Sequence, residues 1–176
     1  MKTSGPIARR AASDAEANVG VREEGNNAGK AVETYLAAVG LTKGAPWCAA
    51  FVRYRMEAAA KALGLTLPKN FPDSGWTPAY QEYAKANAVW IPVSSAKAGA
   101  AKPERGDLCC FYFPAKGRIA HIGIVVKPGA RGVYTVEGNT GPDAGPGVER
   151  EGDGVYRKFR RWAAFGKHGG FVRLEF

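Results

Sequence analysis

The stretch I-A-H-I-G-I-V-V, from Ile119 to Val126, decides the fold together with V-Y-T-V-E-G, from Val133 to Gly138. Both are runs of β-branched and apolar residues, and the turn residues Lys127-Pro128-Gly129 lie between them. This pattern predicts a β-hairpin. Three more apolar or aromatic runs predict further strands of the same sheet, at residues Leu108 to Phe113, Val155 to Arg161 and Gly170 to Glu175.

Helical patterns come before the strands. A first helix is expected from Val32 to Val39, where Gly40 ends it. A second begins almost at Cys48, and a short third runs from Pro78 to Ala88. Helices followed by strands favour an α+β domain, with N-terminal helices packed on an antiparallel β-sheet.

The N-terminal segment, residues 1–22, is rich in Ala, Ser and Arg and shows no sustained periodicity. We therefore predict a poorly ordered lead or a frayed helix there, followed by one domain over residues 23–176. A chain of 176 residues fits a single domain. Its N-terminus lacks the apolar region of a secretory signal, and no stretch reaches the roughly 18 to 20 apolar residues of a membrane span. We expect no membrane span, and an export route other than an evident signal peptide.

The chain is basic, with 25 Lys and Arg against 16 Asp and Glu and a formal net charge of +9. Such a charge attracts nucleic acids, acidic lipid surfaces and anionic cell walls alike. The basic residues are scattered in singles and pairs, such as Arg160-Arg161, without a long tract. The charge therefore favours an anionic partner without naming it, and we expect no nucleic acid partner.

Three cysteines, Cys48, Cys109 and Cys110, are too few for a disulfide framework, and they lack the spacing of a zinc site. Cys109 and Cys110 fall within a predicted strand, so one should face the core. Cys48 falls in the first turn of a predicted helix, where free backbone N–H groups and the helix dipole favour a thiolate. The alternative for Cys48 is a small apolar residue in the core.

His121 interrupts an apolar strand, and Thr135, Glu137 and Asn139 share one face of the next strand. If the hairpin turns about Gly129, facing residue numbers sum to roughly 258, which places Glu137 opposite His121. A shift of two would bring Asn139 nearer instead. One of these two acceptors is thus expected to hold Nδ1–H of the imidazole, which gives a nucleophile, a base and an orienting group.

The motifs W-C-A-A-F-V from Trp47, R-G-D-L from Arg105, A-H-I-G-I-V from Ala120 and V-E-G-N-T from Val136 resemble, in order, those of CHAP domains. These are the cysteine, histidine-dependent amidohydrolases/peptidases of the NlpC/P60-like, papain-related superfamily. The resemblance covers about residues 25–175. It implies a papain-like, NlpC/P60-like core.

The resemblance also implies roles. Cys48 would be the nucleophile, His121 the general base and then acid, Glu137 the residue that orients His121, and Asn139 a polar supporter of the site. No cofactor is implied. No Asp-rich calcium loop precedes Cys48, so we predict no metal.

The implied activity is hydrolysis of peptidoglycan, either as an N-acetylmuramoyl-L-alanine amidase or as an endopeptidase of the stem or cross-bridge. We expect a monomer that reaches the wall after phage-type lysis, as endolysins do, or through a secretion system. The alternatives are a cysteine hydrolase toxin or effector acting on a non-wall amide, and a catalytically silent wall-binding module.

Trp47 and Trp76 are candidate walls of a substrate groove, although aromatic residues more often belong to the core. His168, in a Gly-rich polar turn, is interpreted as a surface residue.

Overall fold

A computed structural model describes residues 3–142, 147–149 and 151–176 of the chain. The α-helices in this part are α1 (Pro6–Glu16), α2 (Lys30–Ala37), α3 (Cys48–Ala62), α4 (Pro78–Ala86) and α5 (Val93–Lys97). The strands are β1 (Trp90–Pro92), β2 (Leu108–Phe113), β3 (Arg118–Gly129), β4 (Gly132–Thr140), β5 (Gly154–Arg161) and β6 (Gly170–Val172). Short 3₁₀ turns at Pro114–Lys116 and Trp162–Phe165 follow β2 and β5.

The strands form one antiparallel sheet in the order β1-β6-β2-β3-β4-β5. Helices α2, α3 and α4 lie where the helical spacing predicts them, and α3 begins at Cys48. The prediction of an α+β fold with helices packed on an antiparallel sheet is confirmed, and the arrangement is consistent with a papain-like core.

Both faces of the sheet are buried. On one face, Phe51 and Met56 of α3 belong to the same buried cluster as Ile122 and Val136 of the central strands. On the other, a smaller cluster includes Phe111, Phe165 and Phe171, and the rings of Phe111 and Phe165 stack with centroids 4.6 Å apart. Burial on both faces explains why β2 and β3 are almost continuously apolar.

Residues Pro6–Glu16 form a helix that packs in the core, so the prediction of a poorly ordered lead is wrong for this segment, and the alternative of a helix is right except that the helix is buried and not frayed. Its buried residues, Ile7, Ala8, Ala11, Ala12 and Ala15, recur at helical spacing. Four of the five are alanines, whose small side chains give a weak hydrophobic signal. The same small side chains let α1 lie close to its neighbours: a Cβ at Gly106 would come within 2.6 Å of the Ala8 carbonyl carbon.

The N-terminus is also held by hydrogen bonds to buried groups. Ser4 Oγ donates to Asp107 Oδ1 at 2.7 Å, and Arg173 Nε donates to the same oxygen at 2.7 Å. The backbone N–H of Gly5 donates to the carbonyl of Leu174 at 2.7 Å. The start and the end of the chain therefore meet at one buried carboxylate. The division into a lead and a domain starting at residue 23 stays a prediction, but α1 is packed as part of the same core.

The sequence pattern also missed β1 and α5. β1 is three residues long and includes Pro92, and it pairs with β6 at the sheet edge. α5 has five residues. Elements of this length carry too few residues for a periodicity to be recognised.

Among the described residues, none of the helices has the length and apolar character needed to cross a membrane.

Burial of α1 is tested by replacing Ala11 with Glu. Ala11 has no exposed surface, so the new carboxylate would have to be buried without a partner. We expect Ala11→Glu to lower the free energy of unfolding by about 3 kcal/mol or more, measured by urea denaturation.

The matched control is Ala17→Glu, which places the same side chain at an exposed residue that caps α1. A change below about 1 kcal/mol is expected there. Equal effects of the two substitutions would show that α1 is not packed in solution.

Candidate active site

Cys48 is the first residue of α3, and it is buried, with 4% of its surface exposed. The backbone N–H groups of a first helical turn have no partner within the helix and point toward the thiol and any group bound to it. Gly138 of β4 allows this turn to approach the sheet. A Cβ at Gly138 would lie 2.7 Å from Trp47 Cζ3 and 2.9 Å from Phe51 Cβ. The glycine therefore sets how closely the start of α3 packs on β4.

His121 is fully buried on β3, directly after an irregularity in the ladder. Phe111 pairs with His121 and Tyr112 pairs with Ile119, so Ala120 is an extra residue on β3. Such a bulge re-aims neighbouring side chains and is frequent beside active sites. The ring of His121 also packs on Phe111, with centroids 5.6 Å apart.

The side chain that holds the imidazole is Glu137, whose Oε2 lies 2.8 Å from His121 Nε2. Glu137 was one of the two predicted acceptors. The prediction that it holds Nδ1 is wrong, because it contacts Nε2. Nδ1 is buried and has no nitrogen or oxygen partner among the described residues. The thiol of Cys48 is the other side chain that hydrogen-bonds the ring, so we place it at Nδ1.

The register of the hairpin differs from the predicted one by two residues, since Val136 pairs with Ile124 and not with Ile122. A shift of two was expected to favour Asn139 as the acceptor, yet Glu137 is the partner. The reason is Gly123, where a Cβ would lie 2.5 Å from Glu137 Cγ. Because Gly123 has no side chain, the glutamate runs across it and reaches the imidazole.

Two further residues fix the Glu137 carboxylate. Arg160 of β5 donates from Nε to Oε1 at 2.8 Å and from Nη2 to Oε2 at 2.7 Å. Thr135 Oγ1 donates to Oε1 at 2.6 Å. Thr135 was seen on the polar face of β4, but Arg160 was not predicted at all. In the sequence, Arg160 is one of two adjacent arginines, Arg160-Arg161, and such pairs are usually exposed to solvent.

The charges of the site favour a thiolate and an imidazolium. Burial raises the pKa of the Cys48 thiol, but His121 and the backbone amides of Ala49 and Ile122 outweigh it, so the pKa is lowered. Burial lowers the pKa of His121, but its bonds to Cys48 and Glu137 outweigh this and raise it to about 9. Burial also disfavours the Glu137 carboxylate, yet Arg160 and His121 hold its pKa well below the usual range.

Asn139 is buried at the end of β4, in a left-handed backbone conformation with φ of 56°. It lines a cleft of about 480 Å³ whose walls also carry Glu23, Glu149, Glu151 and Asp153. The cleft is acidic although the chain is basic. Within the described ranges, no three His, Cys, Asp or Glu side chains are grouped to hold a metal ion. The supporting role of Asn139 stays a prediction.

The two tryptophans have different environments. Trp47 is fully buried, and its Nε1 donates to Glu23 Oε1 at 2.7 Å. The prediction that Trp47 forms a groove wall is therefore wrong, because this indole belongs to the core. Trp76 is 52% exposed, and its substrate-binding role stays a prediction.

The other candidates behave as ordinary residues. Burial raises the pKa of both Cys109 and Cys110, which keeps these thiols protonated. Cys109 belongs to the smaller cluster and Cys110 to the larger one, so the pair faces both sides of the sheet. His168 is exposed, as predicted, and packs edge-on against Tyr112.

A model of the CHAP domain family matches residues 40–139, which is 100 of the 176 residues. The chain belongs to the CHAP family. A comparison with curated proteins finds no match. As a CHAP domain, the protein is a cysteine- and histidine-dependent amidohydrolase/peptidase. The matched segment contains Cys48, His121, Glu137 and Asn139, whereas Arg160 lies beyond it.

The ionisation of Cys48 can be measured without a substrate, by alkylation with iodoacetamide across a range of pH. A lowered thiol pKa predicts rapid alkylation at pH 7, when the thiolate is paired with charged His121. A second change is expected near pH 9, where His121 loses its proton. In His121→Ala, the thiol loses its charged partner and keeps only the backbone amides of Ala49 and Ile122 against burial, so the rate at pH 7 should fall by about tenfold or more.

Mass spectrometry of the alkylated protein locates the label and supplies an internal control. Cys109 and Cys110, with raised pKa values and no exposed surface, should stay unlabelled in the folded protein. An unchanged rate in His121→Ala would contradict the ion pair.

The role of Arg160 is tested by Arg160→Met, which leaves the buried Glu137 without its bidentate partner. Removing one member of a buried ion pair costs about 3 to 5 kcal/mol of unfolding free energy. The exposed neighbour supplies the control, since Arg161→Met should change this value by less than about 0.5 kcal/mol. Urea denaturation measures both, and similar losses from the two variants would contradict the assignment.

Proposed function

We propose that this CHAP domain hydrolyses an amide bond of bacterial peptidoglycan through a Cys48 acyl-enzyme. The observation that carries the proposal is the buried chain of Cys48, His121 and Glu137 at the first turn of α3. The bond is either the one between N-acetylmuramic acid and L-alanine or a bond of the peptide stem or cross-bridge.

In the first half of the reaction, the Cys48 thiolate attacks the amide carbonyl. The developing oxyanion is placed at the start of α3, where the Cys48 backbone N–H can donate to it. His121 then gives its proton to the leaving amine as the C–N bond breaks, which leaves a thioester on Cys48.

In the second half, neutral His121 takes a proton from water, and the resulting hydroxide attacks the thioester. The carboxylic acid product leaves, and the thiolate and imidazolium are restored. Glu137 and Arg160 do not exchange protons in this scheme. The carboxylate accepts Nε2–H of the ring throughout, so Nδ1 faces the thiol in every step.

This geometry argues against a catalytically silent wall-binding module. The imidazole has a raised pKa and the thiol beside it a lowered pKa, so both are charged although both are buried. Burying charges is unfavourable for folding, and such pairs are typical of active sites. The alternative of a toxin or effector that cleaves a non-wall amide uses the same residues, so it is an outcome of the test below. The acidic cleft beside Asn139 weighs against a nucleic acid ligand at this site.

Access to the wall after phage-type lysis or by a secretion system is part of the proposal. A monomer is sufficient for it, because Cys48, His121 and Glu137 all come from one chain.

The test is digestion of purified sacculi by the wild-type protein and by Cys48→Ala. We expect loss of turbidity with the wild type only, since the Cys48 thiolate is the group that attacks the amide in the scheme. Mass spectrometry of the soluble products identifies the bond: an amidase leaves free muramic acid carboxyl groups, and an endopeptidase leaves new peptide ends.

Unfolding in urea serves as the folding control, and Cys48→Ala should retain a cooperative transition. Equal clearing by both proteins, or intact muropeptides after treatment with the wild type, would overturn the proposal. Intact muropeptides together with rapid, His121-dependent alkylation of Cys48 would point instead to a non-wall amide.

A further inference from the structure

Trp76 and Arg118 form a cation–π pair at the start of β3, the strand that carries His121. The Arg118 guanidinium carbon lies 4.1 Å from the centre of the Trp76 ring, and the tryptophan is 52% exposed. A guanidinium over an indole is restrained by the ring, while those of its N–H groups that have no partner in the protein can still donate to a ligand.

Hydrogen bonds tie this pair to the strand that carries His121. The carbonyl of Ile119, two residues before His121, accepts Thr77 Oγ1 at 2.8 Å and Arg118 Nη1 at 2.9 Å. Thr77 directly follows Trp76, so one buried carbonyl fixes both sides of the stack.

A second connection reaches the helix that carries Cys48. The Tyr80 hydroxyl lies 3.2 Å from the carbonyl of Ser74 and 3.4 Å from that of Ala49, the residue after Cys48. The two carbonyls share the single Tyr80 O–H proton, so Tyr80 links the loop containing Trp76 to the helix that carries Cys48. The pair is therefore tied to the strand that carries His121 and, through Tyr80, to the helix that carries Cys48.

The charge of Arg118 has no acidic partner within the part of the chain that the structure describes. Other arginines do, since Arg53 pairs with Glu57 and Arg105 with Glu16, at 2.7 and 2.6 Å. Arg118 is instead oriented by a ring and a carbonyl, which leave its positive charge uncompensated.

We propose that Arg118, held by Trp76, binds a carboxylate of the substrate next to the scissile amide. The inference rests on the proposed function and deepens it, because peptidoglycan stem peptides carry free carboxylates. A planar guanidinium recognises a carboxylate through two parallel hydrogen bonds, and prior stacking reduces the entropy lost on binding. Arg118 is a specificity residue here, with no part in the chemical steps.

The experiment compares native sacculi with sacculi whose carboxylates have been converted to carboxamides by carbodiimide and ammonia. Rates of amide cleavage are measured against sacculus concentration for the wild type and Arg118→Gln. On native sacculi, we expect Arg118→Gln to raise the half-saturating concentration by about 5- to 20-fold and to change the maximal rate less than about twofold. On amidated sacculi, the two proteins should be alike.

Arg131→Gln is the matched control, because it removes the same charge from an exposed residue at the far turn of the β3–β4 hairpin. It corrects for the general attraction of a basic protein to an acidic polymer. Arg118→Lys keeps the charge but not the planar fork, so it should recover only part of the loss. Equal behaviour of Arg118→Gln and Arg131→Gln on native sacculi would overturn the proposal.

The variant Trp76→Ala shows whether the group bound at this subsite is a carboxylate or a sugar ring. If Trp76→Ala weakens saturation while Arg118→Gln does not, the indole stacks on a glycan ring and the carboxylate assignment is wrong. If the guanidinium is the binding group, Trp76→Ala should weaken saturation on native sacculi and have little effect on amidated sacculi.

Binding to Cys48→Ala keeps the two proposals distinguishable. The probe is a synthetic stem tetrapeptide with free carboxylates, compared with its carboxamide form by calorimetry. Tighter binding of the acid form that is lost in Cys48→Ala/Arg118→Gln supports the subsite even where the wild type cleaves no sacculi. Equal binding of the two forms rejects the subsite even where sacculi are cleaved.

Discussion

The buried carboxylate of Glu137 is the constraint on which the rest of the site depends. An isolated negative charge in this position would cost several kcal/mol, so the structure surrounds it with Arg160, Thr135 and His121, each at hydrogen-bond distance. These partners come from three adjacent strands, β3, β4 and β5. The position of the imidazole therefore depends on the register of those strands. Gly123 is required as well, because a side chain there would collide with Glu137. Cys48 enters from a different layer, brought close by the absence of a side chain at Gly138.

Much of the fold can be predicted from local patterns. The spacing of apolar residues identifies α2, α3 and α4, and the β-branched or aromatic runs identify β2 to β6, because these elements bury large side chains at regular intervals. Helix α1 is a different case. It buries mostly alanine, so its value to the core lies in close approach to residues such as Gly106 and in the bonds to Asp107, and neither is visible from residues 1–22 alone.

The candidate site was only partly predictable for a related reason. Helix position identifies Cys48 and an interrupted strand identifies His121, since both signals are local. The choice between Glu137 and Asn139 depends on the strand register. That register is changed by a bulge near Val126, and the missing side chain at Gly123 lets Glu137 reach the imidazole. Arg160 could not be found, because its partner lies 23 residues away on a strand whose register no local pattern gives. It also lies outside the segment that matches the family.

Because Arg160 is buried, the net charge of the chain overstates how basic its surface is. A formal charge of +9 suggests a basic surface, but Arg55, Lys158, Arg160 and Arg173 are all buried, and two of them neutralise buried carboxylates. The surface beside the active site is not uniformly basic either, because the cleft at Asn139 is lined by acidic side chains. Total charge therefore governs how the protein approaches an anionic polymer, through a field that salt screens. The choice of bond presented to Cys48 must then depend on individual groups, and the guanidinium of Arg118 over the exposed ring of Trp76 is the one that we propose.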